Sequence, residues 1–112
     1  MNTITFKRTL WPSIMGTGLI GTVHTTYDTL VKVFGEPAEG SSDGKTTATW
    51  ILEFGDGTVA SIYDWKEGAT PMGPYLWHVG GKNHHALQMV AACLVHGQHV
   101  VNRTPALTTA FF

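Results

Sequence analysis

The middle of the chain carries six tryptophan, tyrosine and histidine rings in a short span, Trp50, Tyr63, Trp65, Tyr75, Trp77 and His78, and close behind them the run Gly80-Gly81-Lys82. Flat rings are surfaces on which a nucleobase stacks. A strand, a glycine pair and a helix start leave backbone N–H groups aimed at one spot, where the helix dipole favours an anion and Lys82 adds a full charge. With Lys66 and Arg8 as further cations, these residues describe a site that stacks bases and holds phosphates: Arg8, Trp50, Tyr63, Trp65, Lys66, Trp77, His78, Gly80, Gly81 and Lys82. Each feature also has a plainer use, because rings fill cores and glycines permit turns. Six rings are nevertheless difficult to bury in a domain this small, and strand alternation sends Trp77 and His78 to opposite sides, so at least one of them reaches a surface or a pocket. The glycine run is neither a Walker loop nor a dinucleotide fingerprint, since the required spacing and the closing Lys-Ser/Thr are missing.

Other chemistries find less support. The histidines are His24, His78, His84, His85, His96 and His99. A structural zinc site usually needs thiolates and a hydrolytic one carboxylates, while His84 and His85 point about 100° apart on a helix. No metal and no cofactor is called for. His24-Thr25-Thr26 matches half of a paired His-x-Thr phosphoesterase signature whose second copy is absent. Ser13, Ser61 and Cys93 stand in no nucleophile elbow or triad order. Glu53 and Asp64 fall on one face of a hairpin, where solvation accounts for them. The chain therefore reads as a binding protein and not an enzyme, with a small phosphodiesterase built on His24 with His78 or His99 as the outlying alternative.

The elements that must position these residues are legible in part. Residues 17 to 24, TGLIGTVH, alternate as a strand. Thr25 or Thr26 caps a helix YDTLVKVF with Asp28 in its first turn, and Gly35 and Pro37 stop it. Residues 38 to 45 are polar and turn-rich, a loop. The segment TTATWILEFGDGTVASIYDWK is a hairpin about Asp56-Gly57, a dipeptide suited to a two-residue type I′ turn. That turn places Trp50, Leu52 and Phe54 on one face with Val59, Ser61, Tyr63 and Trp65, and Ile51, Ala60 and Ile62 on the other among Thr49, Glu53 and Asp64; a three-residue loop would change this pairing. YLWHV is a further strand, Gly80-Gly81 turns the chain, and NHHALQMVAACLVH is the main core helix, ended by Gly97. The pattern gives an α+β domain: a small antiparallel sheet built around a central β-hairpin and packed by two helices.

Size and charge bound the rest. A chain of 112 residues supports one domain, 1–112. Only 13% of residues are charged while 43% are apolar, a surface that suits a homo-oligomer. The tail 98–112, which ends in Phe111-Phe112, is expected to pack on the sheet or on a neighbouring subunit. A net charge of −1 argues against long nucleic acid, which is gripped through many phosphate contacts, and leaves room for a small ligand with a few phosphates. The lone Cys93 permits no disulfide within the chain and fits a reducing compartment. No stretch of eighteen apolar residues is present, so no membrane span is expected.

Three stretches, LVKVFGEP at 30–37, TWILEFGDGTVASIYDWK at 49–66 and WHVGG at 77–81, together resemble a family of small bacteriophage proteins over roughly residues 18 to 95. The chain is similar to the anti-CBASS sponges, oligomeric α+β proteins that bind cyclic nucleotide signals of host immunity without cleaving them. The resemblance implies a cyclic di- or oligonucleotide as partner, a homo-oligomer, and the host cytoplasm as the place of action. The main alternative is an interaction protein that blocks a host defence or metabolic enzyme through an exposed apolar hairpin face and Phe111-Phe112.

Overall fold

A computed structural model of the protein describes residues 4–9, 16–41, 43–97 and 100–102. Its elements in chain order are β1 (Ile4–Arg8), β2 (Gly18–Thr25), α1 (Tyr27–Phe34), β3 (Ala38–Glu39), β4 (Ala48–Phe54), β5 (Val59–Tyr63), β6 (Tyr75–Gly81), α2 (His84–Val95) and β7 (Val100–Asn102). One sheet runs β2-β6-β5-β4-β1-β7, antiparallel over its first five strands and parallel only where β7 joins β1. The short β3 pairs with the start of β4, on the edge whose other half is taken by β1. The tail thus returns to its own chain at β7, and its remainder lies outside the described residues, as do Ser13 and His99. The α+β class and the central hairpin stand as read from the sequence. Three elements are additions: β1, the two-residue β3 in a segment read as loop, and β7 in the segment read as tail.

The helices obey their local signals. Thr26 caps α1, its hydroxyl oxygen accepting the Thr29 N–H at 3.2 Å, and Gly35 closes the other end by donating to the Val31 carbonyl at 2.8 Å. Asn83 caps α2 by accepting the His85 N–H at 3.0 Å. Both helices cover one face of the sheet. Leu30 and Phe34 of α1 and Ala86, Val90 and Cys93 of α2 join Phe6, Trp50, Leu52, Phe54, Ala60, Ile62, Trp77 and Val79 in a single core. Trp50 and Trp77 meet edge to face at 5.5 Å, and truncating either to alanine is expected to cost about 3–5 kcal/mol. Burial also pushes the Cys93 thiol up to about 12, so this cysteine is an inert core residue.

Two expectations need correction. The hairpin turn is a three-residue loop, Gly55-Asp56-Gly57: Thr58 and Phe54 pair through an N–H to carbonyl bond of 2.8 Å, and the register runs Leu52↔Ala60, Trp50↔Ile62 and Thr49↔Tyr63. Type I′ would need positive φ at both Asp56 and Gly57, and only Gly57 has it, at +88°. Asp56 spends its side chain instead on the Thr58 N–H at 2.9 Å. The extra residue rotates β5 by one position, so Ala60 and Ile62 join Trp50 under the helices while Val59, Ser61 and Tyr63 share the open face with Thr49, Ile51 and Glu53. The second correction concerns Gly80 and Gly81. They do not turn the chain; they end β6, flanked on both sides by β2 and β5, and the turn falls at Lys82-Asn83. Glycine is needed there for close approach, since a Cβ on Gly81 would lie 2.6 Å from the Ala86 Cβ and one on Gly80 would lie 2.5 Å from the Ser61 Oγ.

Candidate functional site

The strand assignment disperses the residues that the sequence grouped together. Trp50 and Trp77 are fully buried beneath the helices, so no base can reach them. Trp50 is further committed through its indole N–H, which donates to the Gly35 carbonyl at 2.7 Å. Arg8 is half-buried at the end of α1, donating to the carbonyls of Phe34 (3.3 Å) and Glu36, where a cation complements the helix C-terminus. Burial draws its pKa below the ordinary arginine value. Gly80 and Gly81 offer no converging N–H groups because they sit within the sheet. Lys82 is exposed, but it follows Gly81, whose partner Ala60 comes five residues before Trp65. At about 3.3 Å per residue that is roughly 17 Å away, so Lys82 does not share a pocket with Trp65.

What remains comes together at the other end of β5 and β6. Tyr63 and His78 are cross-strand neighbours on the open face, stacked at 5.4 Å with their planes only 20° apart. Trp65 meets Tyr63 edge to face at 6.4 Å, and Tyr75 reaches His78 at 6.3 Å and Trp77 at 5.2 Å. The rings therefore form an unbroken ladder from the buried Trp50-Trp77 pair, through Tyr75, His78 and Tyr63, to Trp65, which is 41% exposed. At its outer end two ammonium groups face the indole: Lys66 Nζ lies 5.6 Å and Lys45 Nζ 5.9 Å from the ring centroid. Lys45 also pairs loosely with Asp43 at 3.8 Å. The Tyr75 hydroxyl accepts the Trp65 N–H at 3.3 Å and donates to Glu67 Oε2 at 3.0 Å, which fixes the strand exit. Partial burial raises the Tyr63 and Tyr75 phenols above their ordinary pKa, so both act as neutral rings.

The scaffold beneath this end is Asp64. Contrary to the expectation of a solvated surface acid, it is fully buried, and its carboxylate accepts the Thr47 N–H at 2.7 Å, the Thr47 hydroxyl at 2.6 Å and the Ala48 N–H at 3.1 Å. The Thr47 hydroxyl also meets that of Thr70 at 2.7 Å, tying in the loop before β6. Next to it Lys66 adopts a left-handed backbone, φ +56°, which non-glycine residues rarely occupy, and its N–H donates to the Lys45 carbonyl at 2.7 Å. One backbone bond thereby brings both lysines to one indole. Sequence reasoning found Tyr63, Trp65, Lys66 and His78 and listed Tyr75 only among the rings. It missed Lys45 and the buried role of Asp64, because both depend on the hairpin register, which differs by one residue from the one a two-residue turn implies.

His78 has one buried ring nitrogen, Nδ1, without a hydrogen-bond partner among the described residues. His24 is exposed on β2, and no group of three His, Cys, Asp or Glu side chains that could hold a metal occurs among the described residues. Nor is any helix of the described residues long and apolar enough to cross a membrane. No family model, curated protein or solved structure matches this chain.

Proposed function

We propose that the protein binds a cyclic di- or oligonucleotide immune signal and sequesters it intact, as a viral anti-defence protein acting in the host cytoplasm. The observation that carries the reading is Trp65: a half-exposed indole backed by a ladder of rings and faced by two lysine ammoniums. Stacking and anion binding are thus offered within one ring's width. A base that slides onto the indole displaces an ammonium toward its own phosphate, exchanging a cation–π contact for a charge-assisted hydrogen bond. One stacked base contributes about 1–3 kcal/mol, so two bases and the phosphate bonds suffice for tight retention. The sequence resemblance to phage sponge proteins supplies the ligand class.

The test is calorimetry of the pure protein against a panel of cyclic di- and trinucleotides, followed by heat release and chromatography of the bound fraction. Binding with intact recovery, lost on Trp65→Ala, supports sequestration. Cleaved product would make the protein a phosphodiesterase, and no heat with any member of the panel would overturn the nucleotide reading. A second reading, a protein that blocks a host enzyme, draws on the exposed apolar side chains of Leu19, Met72 and Leu76. Stoichiometric capture of one host protein by a nucleotide-free preparation would favour it.

A further inference from the structure

Among the described residues the sheet ends at β2, and the sequence of this strand carries no guard against edge pairing. β2 pairs only with β6 among the described residues, and its sequence GLIGTVHT contains no Lys, Arg, Asp, Glu or Pro, the residues that natural edge strands use against pairing with another chain. A bulge between Leu19 and Gly21 disturbs its first residues only; Gly21 to Thr25 run in unbroken register against Val79 to Tyr75. Thr22 and His24 are exposed on the open face.

A second feature lies directly above that edge. The twelve residues of α2, HHALQMVAACLV, include no Asp, Glu, Lys or Arg. Leu87, Ala91 and Leu94 form one helical stripe and are only half-buried. The stripe is on the β2 side, because Leu87 sits over Gly21: a Cβ there would be 2.6 Å from the Leu87 Cδ2. The polar residues of α2, His84, His85 and Gln88, lie in its first half, and the Leu87-Ala91-Leu94 stripe beside them is apolar surface of the kind a helix buries against a neighbour.

We infer that a second copy of this chain pairs antiparallel along β2 of the first, joining the two sheets into one and packing the two α2 stripes together. A two-fold axis perpendicular to the sheet keeps each residue opposite one that points the same way, so the pairing is centred on a residue, and Val23 is the middle of the regular five. Thr22 of one copy then faces His24 of the other. With strands about 4.8 Å apart and α2 resting over β2 and β6, the two α2 axes come to roughly 10 Å, near the ordinary helix packing distance. Edge and stripe are satisfied by the same operation. Both Trp65 sites would lie on the same open face of the joined sheet, related by the two-fold.

The test is the solution mass of the full chain without nucleotide, so it stands apart from the ligand reading. Light scattering at tens of micromolar should give twice the chain mass of 12.2 kDa for the native protein, and a single chain mass for Thr22→Lys with its helical circular dichroism retained. A native monomer, or a Thr22→Lys protein that stays dimeric, overturns the inference. If Thr22→Lys fails to fold, mixed T22C and H24C chains decide the matter under mild oxidation: a disulfide between the two supports the pairing and none refutes it.

Discussion

The two ends of the central hairpin are each held by an aspartate, and the two do opposite things. At the turn, Asp56 is exposed and its carboxylate binds the Thr58 N–H and the Nε2 of His85 at 2.9 Å, pinning the start of α2 to the loop. At the open end, Asp64 is fully buried and gathers three donors from Thr47 and Ala48. An exposed ion pair is screened and replaceable, whereas a buried carboxylate with its donors cannot lose one partner without stranding the others. The rigid end is the one that carries the exposed indole and the two lysines. The difference teaches where precision is needed: the turn end only has to close the fold, and the open end, on the function proposed above, has to hold side chains ready for a ligand.

The contrast can be broken most severely at Asp64. Asp64→Ala leaves two backbone N–H groups and a hydroxyl without their acceptor, and urea denaturation should show a loss of about 3 kcal/mol or more, with nucleotide binding lost as well. Next comes Trp65→Ala, which should lower nucleotide affinity by about 1–3 kcal/mol in calorimetry while thermal stability stays within about 0.5 kcal/mol of the native protein. Lys66→Gly separates the two roles of that residue. It relieves the left-handed backbone, so stability should hold or rise by up to about 1 kcal/mol, yet the loss of one ammonium weakens binding.

The smallest effect belongs to the turn end and depends on pH. The hydrogen bond with Asp56 raises the His85 pKa above its ordinary 6.5, and the bond from His85 is the main cause that lowers Asp56 to about 2 from its ordinary 3.8. The His85 contribution is present in full below 6.5 and is lost as the pH rises through the raised value. The Asp56 contribution is present above 3.8 and is lost as the pH falls through about 2. Melting temperature should therefore decline slightly between pH 5.5 and pH 9 in the native protein, and His85→Gln should flatten that decline.

Much of the scaffold was open to reading because its signals are local. Thr26, Asp28 and Gly35 bracket α1 within a few residues, the alternation around Asp56-Gly57 announces a hairpin, and the apolar spacing after Asn83 marks α2. The register was not open in the same way. It turned on which of Gly55, Asp56 and Gly57 takes positive φ, and a single residue moved Tyr63 out from under the helices. β1 has no local signature of its own, since ITFKR becomes a strand by pairing with β4, far along the chain. The site shows the same division. Tyr63, Trp65, Lys66 and His78 lie within two adjacent strands and their exit, so proximity in sequence approximated proximity in space. Arg8, Lys82 and Gly80-Gly81 were joined to them by chemistry alone, and the sheet places them elsewhere. Trp50 and Trp77 were grouped with the binding rings because six rings are difficult to bury in so small a domain, whereas these two are the centre of the core and His78 is the one that faces the open side.

The ladder of rings also gives the protein built-in optical probes. Trp50 and Trp77, locked at 5.5 Å and 83°, are close enough for their excited states to couple, so the circular dichroism of that pair should vanish only with the core. Trp65 is at the wet end, and the difference between native protein and Trp65→Phe isolates its emission from that of the other tryptophans. Unfolding and ligand capture can then be followed in one cuvette at two wavelengths, without a label.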